Sequence, residues 1–202
     1  MSDKTLAILG GHLVDPKSGI DGPADVFITG GKVSRVAISQ PGAPRPDSRP
    51  FDSVINAKGC FVLPGLIDLH VHLRTPGEEH KEDPLTGGHA AARGGFTTIC
   101  CMPNTRPALD CPTAIEALLE RCERECPVRV IPFAAMTKGN LGRELTDFAA
   151  LKALGVAGVS DDAFPLQDSA LALEGFRKAA EAGVLLALHP EDLALTSNPS
   201  AS

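Results

Sequence analysis

Five apolar runs, each followed by a stretch of helical character, recur from residue 65 onward and limit the fold more than any other feature. The runs begin about 30 residues apart, the length of one strand-plus-helix unit. They are LIDLHVHL (66–73), FTTICCM (96–102), VRVIPFAA (128–135), VAGVS (156–160) and VLLALH (184–189). Strands that alternate with helices predict a parallel sheet with helical cover. An open doubly wound sheet can stop at five units and a closed barrel needs eight, so the pattern alone allows both folds.

Capping residues mark the helices between these runs. Asp83 followed by Pro84 predicts the start of the first helix. Thr113 and Glu116 have the spacing of a capping box, which predicts the start of the second. The segment SALALEGFRKAAEAG predicts a later helix that ends at Gly183.

Residues 1–60 follow a different pattern. Short apolar alternations are separated by turn residues, and Gly30-Gly31 is a two-residue hairpin signal between two of them. The segment at 40–50 is too rich in proline for a helix or a central strand and predicts a loop. We therefore expect a small all-β unit before the repeated strand–helix units.

Composition excludes several classes of partner. The hydrophobic content of 43% and charged content of 22% are typical of a soluble globular protein. A net charge of −6, without a run of Lys or Arg, argues against nucleic acid and against anionic membranes as partners. Apolar runs stay well below the roughly 18 residues of a membrane span, and the N-terminal apolar run is too short for a signal peptide. The sequence thus predicts a cytoplasmic protein.

Polar residues follow the strand runs at the points where a core would not place them. His70 and His72 end the first run, Asp161-Asp162 the fourth, and His189 the fifth. The carboxyl ends of parallel strands open on one face, so these side chains are expected to converge there. A set of imidazoles and one carboxylate suits Zn²⁺ better than other divalent ions. Either aspartate satisfies this pattern.

The spacing of His70 and His72 places both imidazoles on one face of the strand. Burying each without a partner would cost about 1–3 kcal/mol, and a bound ion removes that cost. Taken alone, the pair is equally compatible with two core or surface histidines that have local hydrogen bonds.

Arg74 and Asn104 are candidates for holding an anionic group beside such a centre. A guanidinium binds a carboxylate through two parallel hydrogen bonds, and an amide adds a further donor. The alternative for Arg74 is a surface ion pair with Glu78, Glu79 or Asp83. The alternative for Asn104 is an ordinary turn residue.

From about residue 52 to its end, the sequence resembles the dihydroorotases of the amidohydrolase superfamily, in the bacterial subgroup that includes enzymes paired with aspartate transcarbamoylase. The resemblance rests on GLIDLHVHLRTPG, EDPLTGGHAAARGGFTTICCMPNTRPALD, VSDDAFPLQDS and LHPED, in this order. It implies a TIM-like (β/α)8 barrel, here incomplete with about five units. Residues 1–60 would then be the N-terminal part of a small β-sandwich domain, and 61–202 the N-terminal part of the barrel.

The resemblance also implies roles for individual residues. The implied ligands of one or two Zn²⁺ ions are His70, His72, Asp162 and His189. Asp162 stands where hydantoinases use a carboxylated lysine. Arg74 and Asn104 are implied to hold the carboxylate of the substrate. The general acid and base is expected beyond residue 202, with Asp161, Glu191 and Asp192 as weaker substitutes.

The implied activity is the reversible, metal-dependent cyclisation of N-carbamoyl-L-aspartate to L-dihydroorotate in pyrimidine synthesis. Aspartate transcarbamoylase and further copies of the same chain are the expected protein partners. One rival is another cyclic amidohydrolase, such as a hydantoinase or an allantoinase. The other is a non-catalytic scaffold that organises aspartate transcarbamoylase, for which kept metal ligands would be unnecessary.

Overall fold

The computed structural model of the chain describes residues 4–39 and 51–196. The loop predicted at 40–50 therefore lies outside the described residues. Contacts divide the chain into two units, Met1–Pro64 and Gly65–Ser202, and each contains one five-stranded sheet. None of the helices in the described ranges combines the length and the hydrophobicity that crossing a bilayer requires.

The first unit is a mixed sheet built around its longest strand. Its strands are β1 (Thr5–Asp15), β2 (Ile20–Thr29), β3 (Lys32–Ile38), β4 (Ser53–Asn56) and β5 (Phe61–Val62). β1 pairs antiparallel with β2 and parallel with both β4 and β5. Gly30 and Gly31 join β2 to β3 with φ angles of 58° and 76°, which confirms the hairpin. The described strands of this unit form one sheet, so the β-sandwich remains a prediction.

The second unit alternates strands with helices. Its strands are β6 (Leu66–Val71), β7 (Phe96–Cys101), β8 (Arg129–Ala135), β9 (Gly158–Ser160) and β10 (Leu185–Ala187). Its α-helices are α1 (Pro84–Arg93), α2 (Pro112–Glu125), α3 (Phe148–Ala153), α4 (Ser169–Ala182) and α5 (Leu193–Thr196), with a 3₁₀ turn at Lys138–Asn140. All neighbouring strands are parallel. The predicted α/β class is confirmed.

The order of the strands separates the two folds that the pattern allowed. The sheet runs β10-β9-β8-β7-β6, so each strand lies beside the strand that precedes it in sequence. A doubly wound sheet reverses its order at a switch point, whereas a barrel keeps the order sequential. The second unit is therefore an incomplete barrel of five βα units, as the resemblance implied.

Two of the predicted helix boundaries are confirmed. Asp83 caps α1 by accepting a hydrogen bond from the Thr86 amide at 2.8 Å, and the Thr86 hydroxyl completes a capping box. Gly183 ends α4 in the left-handed conformation, with φ of 63°.

The capping box predicted at Thr113 is wrong. α2 starts two residues earlier than predicted, at Pro112, whose fixed φ suits the first helical position. Cys111 is the N-cap and makes no side-chain capping hydrogen bond. Thr113 therefore lies inside the first turn, where its hydroxyl contacts the Cys111 sulfur at 3.3 Å.

The outer strands of the incomplete barrel expose apolar side chains. Ile67 and Leu69 on β6, and Leu185 on β10, are 59%, 67% and 61% exposed. Exposed apolar edge strands favour association between chains. Homo-oligomer formation is consistent with this surface and remains a prediction.

Two glycines of the second unit allow a test of its packing. A methyl group at Gly158 in β9 would lie 2.6 Å from a ring carbon of Phe133 and 2.7 Å from the Leu185 carbonyl oxygen. At Gly175 in α4 the nearest atoms, from Leu186 and Met136, are 3.5 Å away, an ordinary contact. We expect Gly158→Ala to lower the free energy of unfolding by about 1–3 kcal/mol, because the backbone cannot yield. Gly175→Ala should raise it by about 0.5–1 kcal/mol, because alanine favours the helix.

Urea unfolding curves of the two variants and the wild type measure this difference. Equal effects of the two substitutions would contradict the packing at β9.

Candidate metal centre

Three side chains predicted as metal ligands lie together at the carboxyl end of the parallel sheet. One ligand atom from each of His70, His72 and Asp162 lies within 4.8 Å of the other two. The Nε2 atom of His70 is 3.4 Å from Oδ1 of Asp162, and Nε2 of His72 is 3.6 Å from Oδ2. The two imidazole rings are 5.1 Å apart between centroids and inclined by 72°.

These distances fit a shared ion better than direct hydrogen bonds. A nitrogen and an oxygen that hydrogen-bond lie about 2.7–3.2 Å apart. Two atoms that bind one zinc ion at about 2.1 Å in tetrahedral geometry lie about 3.4 Å apart. The Asp162 side chain is 10% exposed, whereas His70 is 52% exposed and His72 28%. The donors therefore suit a divalent cation that is held on a buried carboxylate and remains accessible from solvent.

Curvature of the sheet brings these residues together. β6 and β9 are separated by β7 and β8, so a flat sheet would place them about 14 Å apart. His70 lies in β6, His72 follows its end, and Asp162 lies two residues beyond β9. Contact between their side chains requires the sheet to curl toward its carboxyl edge, as in a closing barrel.

The two adjacent aspartates have different surroundings. Asp161 accepts a hydrogen bond from the Thr137 amide at 2.9 Å and another from the Thr137 hydroxyl. Burial raises the pKa of the Asp161 carboxyl above its usual range, and the two hydrogen bonds partly oppose this shift. Asp161 thus ties the end of β9 to the segment after β8, and Asp162 alone of the pair faces the histidines.

Asn104 lies between two members of the group. Its Oδ1 is 3.0 Å from Nδ1 of His72, and its Nδ2 donates to Oδ2 of Asp162 at 3.2 Å. The amide therefore uses both ends on this cluster. The predicted contact of Asn104 with a substrate carboxylate remains a prediction.

Arg74 is half-buried in the loop that follows β6. Within the described residues, it forms no ion pair with the acidic residues considered above. Glu78 pairs with Lys81 at 2.6 Å and Glu79 with Arg121 at 3.3 Å. The Arg74 guanidinium therefore does not form the surface ion pairs that were its alternative role. Its contact with a substrate carboxylate remains a prediction.

Strained backbone occurs in three loops at this end of the sheet. In the described ranges, the non-glycine residues with left-handed φ are Arg74, Asn140 and Ala163, at 54°, 56° and 63°. They follow β6, β8 and β9. Such conformations cost about 1–3 kcal/mol each and concentrate at functional sites. The backbone is thus consistent with a site built from these loops.

His189 lies outside the three-residue group. It follows β10 as an exposed residue, and its Nδ1 is 3.5 Å from Oε2 of Glu191. A carboxylate beside one imidazole nitrogen is common where the other nitrogen binds a metal. The structure brings together three of the four predicted ligands, and the role of His189 remains a prediction.

Thr137 was missed by the sequence reasoning. It is fully buried and holds Asp161 through both its amide and its hydroxyl. Polar residues after strands one, two, four and five were considered as candidates, and the third run was not. Thr137 follows the third strand by two residues, so the same rule applied to every strand would have found it.

Comparisons with known proteins identify the family to which this chain belongs. Residues 59–201 match the family model described as dihydro-orotase-like. A curated dihydroorotase of Anaeromyxobacter dehalogenans (strain 2CP-C) is 45% identical over 196 residues, covering 96% of this chain and 43% of the relative. One from Clostridioides difficile (strain 630) is 41% identical over 194 residues, covering 96% and 44%. The chain thus spans less than half the length of these relatives.

The fold also matches solved structures. An L-hydantoinase (dihydropyrimidinase) from Arthrobacter aurescens superposes with a TM-score of 0.75 at 24% identity, covering 100% of this chain and 44% of that one. At this identity the likeness concerns the fold alone. It supports the assignment of the second unit as part of a barrel.

Replacing Asp161 and Asp162 separately should distinguish the residue that stabilises the fold from the residue that binds a metal. Asp161→Ala leaves the buried Thr137 donors without an acceptor, so we expect a loss of about 2–4 kcal/mol in the free energy of unfolding. Asp162→Ala removes the cost of holding a largely buried carboxylate and loses one hydrogen bond, from the half-buried Asn104 amide, so in metal-free protein we expect a change within about 1 kcal/mol. Urea unfolding in the presence of a chelator measures both. Equal losses would contradict the separate roles of the two residues.

Proposed function

The chain belongs to the dihydro-orotase-like family, and on this premise we propose that it carries out the metal-dependent, reversible cyclisation of N-carbamoyl-L-aspartate to L-dihydroorotate. The observation that carries the proposal is the grouping of His70, His72 and Asp162 inside the matched segment. A non-catalytic scaffold has no need for this group.

The metal centre is the first part of the proposal. His70, His72 and Asp162 would hold a divalent cation, and two imidazoles with one carboxylate favour Zn²⁺. Such a cation supplies Lewis acidity, which polarises a carbonyl group and makes water a better nucleophile at neutral pH. His189 is the proposed fourth ligand, oriented by Glu191.

Substrate binding is the second part. Arg74 has the geometry to hold a carboxylate through two hydrogen bonds, and its loop lies at the same end of the sheet as the metal group. The Asn104 amide has two N–H donors, of which one goes to Asp162. The second would be available to the same carboxylate, so the implied substrate role and the observed contacts are compatible.

Protonation of the leaving nitrogen requires an acid. Asp161 is committed to Thr137 inside the protein, which argues against the substitute role considered for it. Glu191 and Asp192 follow His189 and remain candidates. The role in pyrimidine synthesis, the cytoplasmic location, self-association and pairing with aspartate transcarbamoylase belong to the same proposal.

Metal analysis of single variants tests the centre. We expect the wild type to retain zinc, and His70→Ala, His72→Ala and Asp162→Ala to bind it more than about 100-fold more weakly, because a ligand matters more than its supporting residues. His89→Ala is the matched control, since His89 is an exposed histidine of α1 outside the group. Competition with a chromophoric chelator measures the affinities.

Two further results determine the number of metal ligands and the choice between an enzyme and a scaffold. A loss in His189→Ala as large as that in His72→Ala would establish a fourth ligand, and an unchanged affinity would limit the site to three residues. A well-folded wild type that retains no metal would contradict the proposal and favour the scaffold.

An assay of the protein against dihydroorotate, hydantoin and allantoin tests the substrate. We expect hydrolysis of dihydroorotate, abolished by a chelator, and lower activity on the other two, because only dihydroorotate carries a carboxylate for Arg74 to hold. Arg74→Lys should raise KM for dihydroorotate, since a lysine cannot form the two parallel hydrogen bonds. Preference for hydantoin or allantoin would identify one of the rival cyclic amidohydrolases.

A further inference from the structure

We propose that Asn104 is a positioning residue that fixes the tautomer of His72 and so keeps the Nε2 lone pair of His72 available to a metal ion. The inference rests on the proposed metal centre. It is carried by the two contacts of one side-chain amide, 3.0 Å to Nδ1 of His72 and 3.2 Å to Oδ2 of Asp162.

The carboxylate determines how the amide is oriented. An ionised carboxylate only accepts hydrogen bonds, so the group of Asn104 that faces Asp162 must be the NH₂. The carbonyl oxygen of Asn104 therefore faces His72. A carbonyl oxygen only accepts, so Nδ1 of His72 must carry the proton in this contact.

These contacts determine whether the second ring nitrogen of His72, Nε2, carries a proton. A neutral imidazole has one proton, so a proton on Nδ1 leaves a lone pair on Nε2. The Nε2 atom is the one that lies 3.6 Å from Asp162 and belongs to the three-residue group. Asp162 thus orients the Asn104 amide, and this amide keeps the Nε2 lone pair of His72 available for a metal ion.

Without Asn104, the Asp162 carboxylate would favour a proton on Nε2 of His72. Nε2 of His72 lies close to Oδ2 of Asp162, and a small rotation would let an Nε2–H donate to that oxygen. A proton in that position would occupy the lone pair that a metal needs. Asn104 opposes this state by accepting from Nδ1.

The loop that carries Asn104 is held in place independently of the cluster. The Thr105 amide donates to the Pro103 carbonyl at 2.8 Å, and the Thr105 hydroxyl donates to the Pro107 carbonyl at 2.7 Å. Asn140 donates to the Pro103 carbonyl at 3.3 Å. The loop that carries Asn104 is therefore held by its own hydrogen bonds and by one from the turn after β8.

Nitrogen-15 spectra of the histidines test the tautomer directly. Protein labelled with [¹⁵N]histidine is stripped of metal and measured at about pH 8.5, where an ordinary imidazole is neutral. Long-range proton–nitrogen correlations distinguish the tautomers, and the His72 signal is assigned by its loss in His72→Ala. We expect Nδ1–H in the wild type and a shift toward Nε2–H in Asn104→Leu.

Two further variants separate positioning from structure. Asn104→Asp keeps an acceptor beside Nδ1 and should retain the Nδ1–H tautomer. Thr105→Val removes a hydrogen bond of the same loop and should leave the tautomer unchanged. Equal shifts in Asn104→Leu and Thr105→Val would overturn the inference, as would Nε2–H in the wild type.

Zinc affinity supplies the second measurement. We expect Asn104→Leu to bind zinc about 10–100-fold more weakly, the usual effect of removing a group that orients a ligand. A higher KM for dihydroorotate with unchanged zinc affinity would overturn the inference and leave Asn104 a substrate contact only.

Failure of the proposed function gives a different result. A wild type that binds no zinc would remove the metal centre, and the tautomer of His72 in the same metal-free protein would still decide whether Asn104 controls it.

Discussion

Curvature of the parallel sheet is the constraint on which the candidate site depends. The histidines come from the end of the first barrel strand and the carboxylate from the end of the fourth, and only a curled sheet allows them to touch. Parallel pairing directs all these ends to one edge, and the loops there contain the strained residues of the second unit. The chemistry of the site is therefore a consequence of strand order and curl.

Two sets of side-chain hydrogen bonds hold the converging strand ends in a defined geometry. Thr137 holds Asp161 beneath the surface, which fixes the end of β9 relative to the segment after β8. Asn104 connects His72 to Asp162 and so links the ends of β6, β7 and β9. The Thr137–Asp161 contact is buried, so the loss of either group would leave its partner unsatisfied. The two sets of hydrogen bonds give the cluster its fixed spacing.

Much of this arrangement was predictable from the sequence, and the exceptions have physical causes. The period of about 30 residues fixed the parallel α/β class, and the spacing of His70 and His72 fixed a shared face. Strand order was not predictable from the period, because open and closed sheets share it. The different roles of Asp161 and Asp162 depend on which side of the chain faces Thr137, a contact across 24 residues of sequence that local pattern does not encode. The start of α2 was missed because Pro112 outweighed the capping-box spacing at Thr113.

The adjacency of Asp161 and Asp162 has a consequence for how this chain can diverge. Consecutive residues at a strand end point in opposite directions, so one faces the protein interior and the other faces the cleft. Deleting or inserting a single residue between Gly158 and Asp161 would exchange the two orientations and shift both carboxylates along the chain by about 3.3 Å, so neither would keep its present distance to Thr137 or to the histidines. Point changes in this segment can be compensated one at a time, but a shift in length cannot. Variation in loop length is therefore expected only after Ala163, where an insertion or deletion follows both carboxylates and does not change their register.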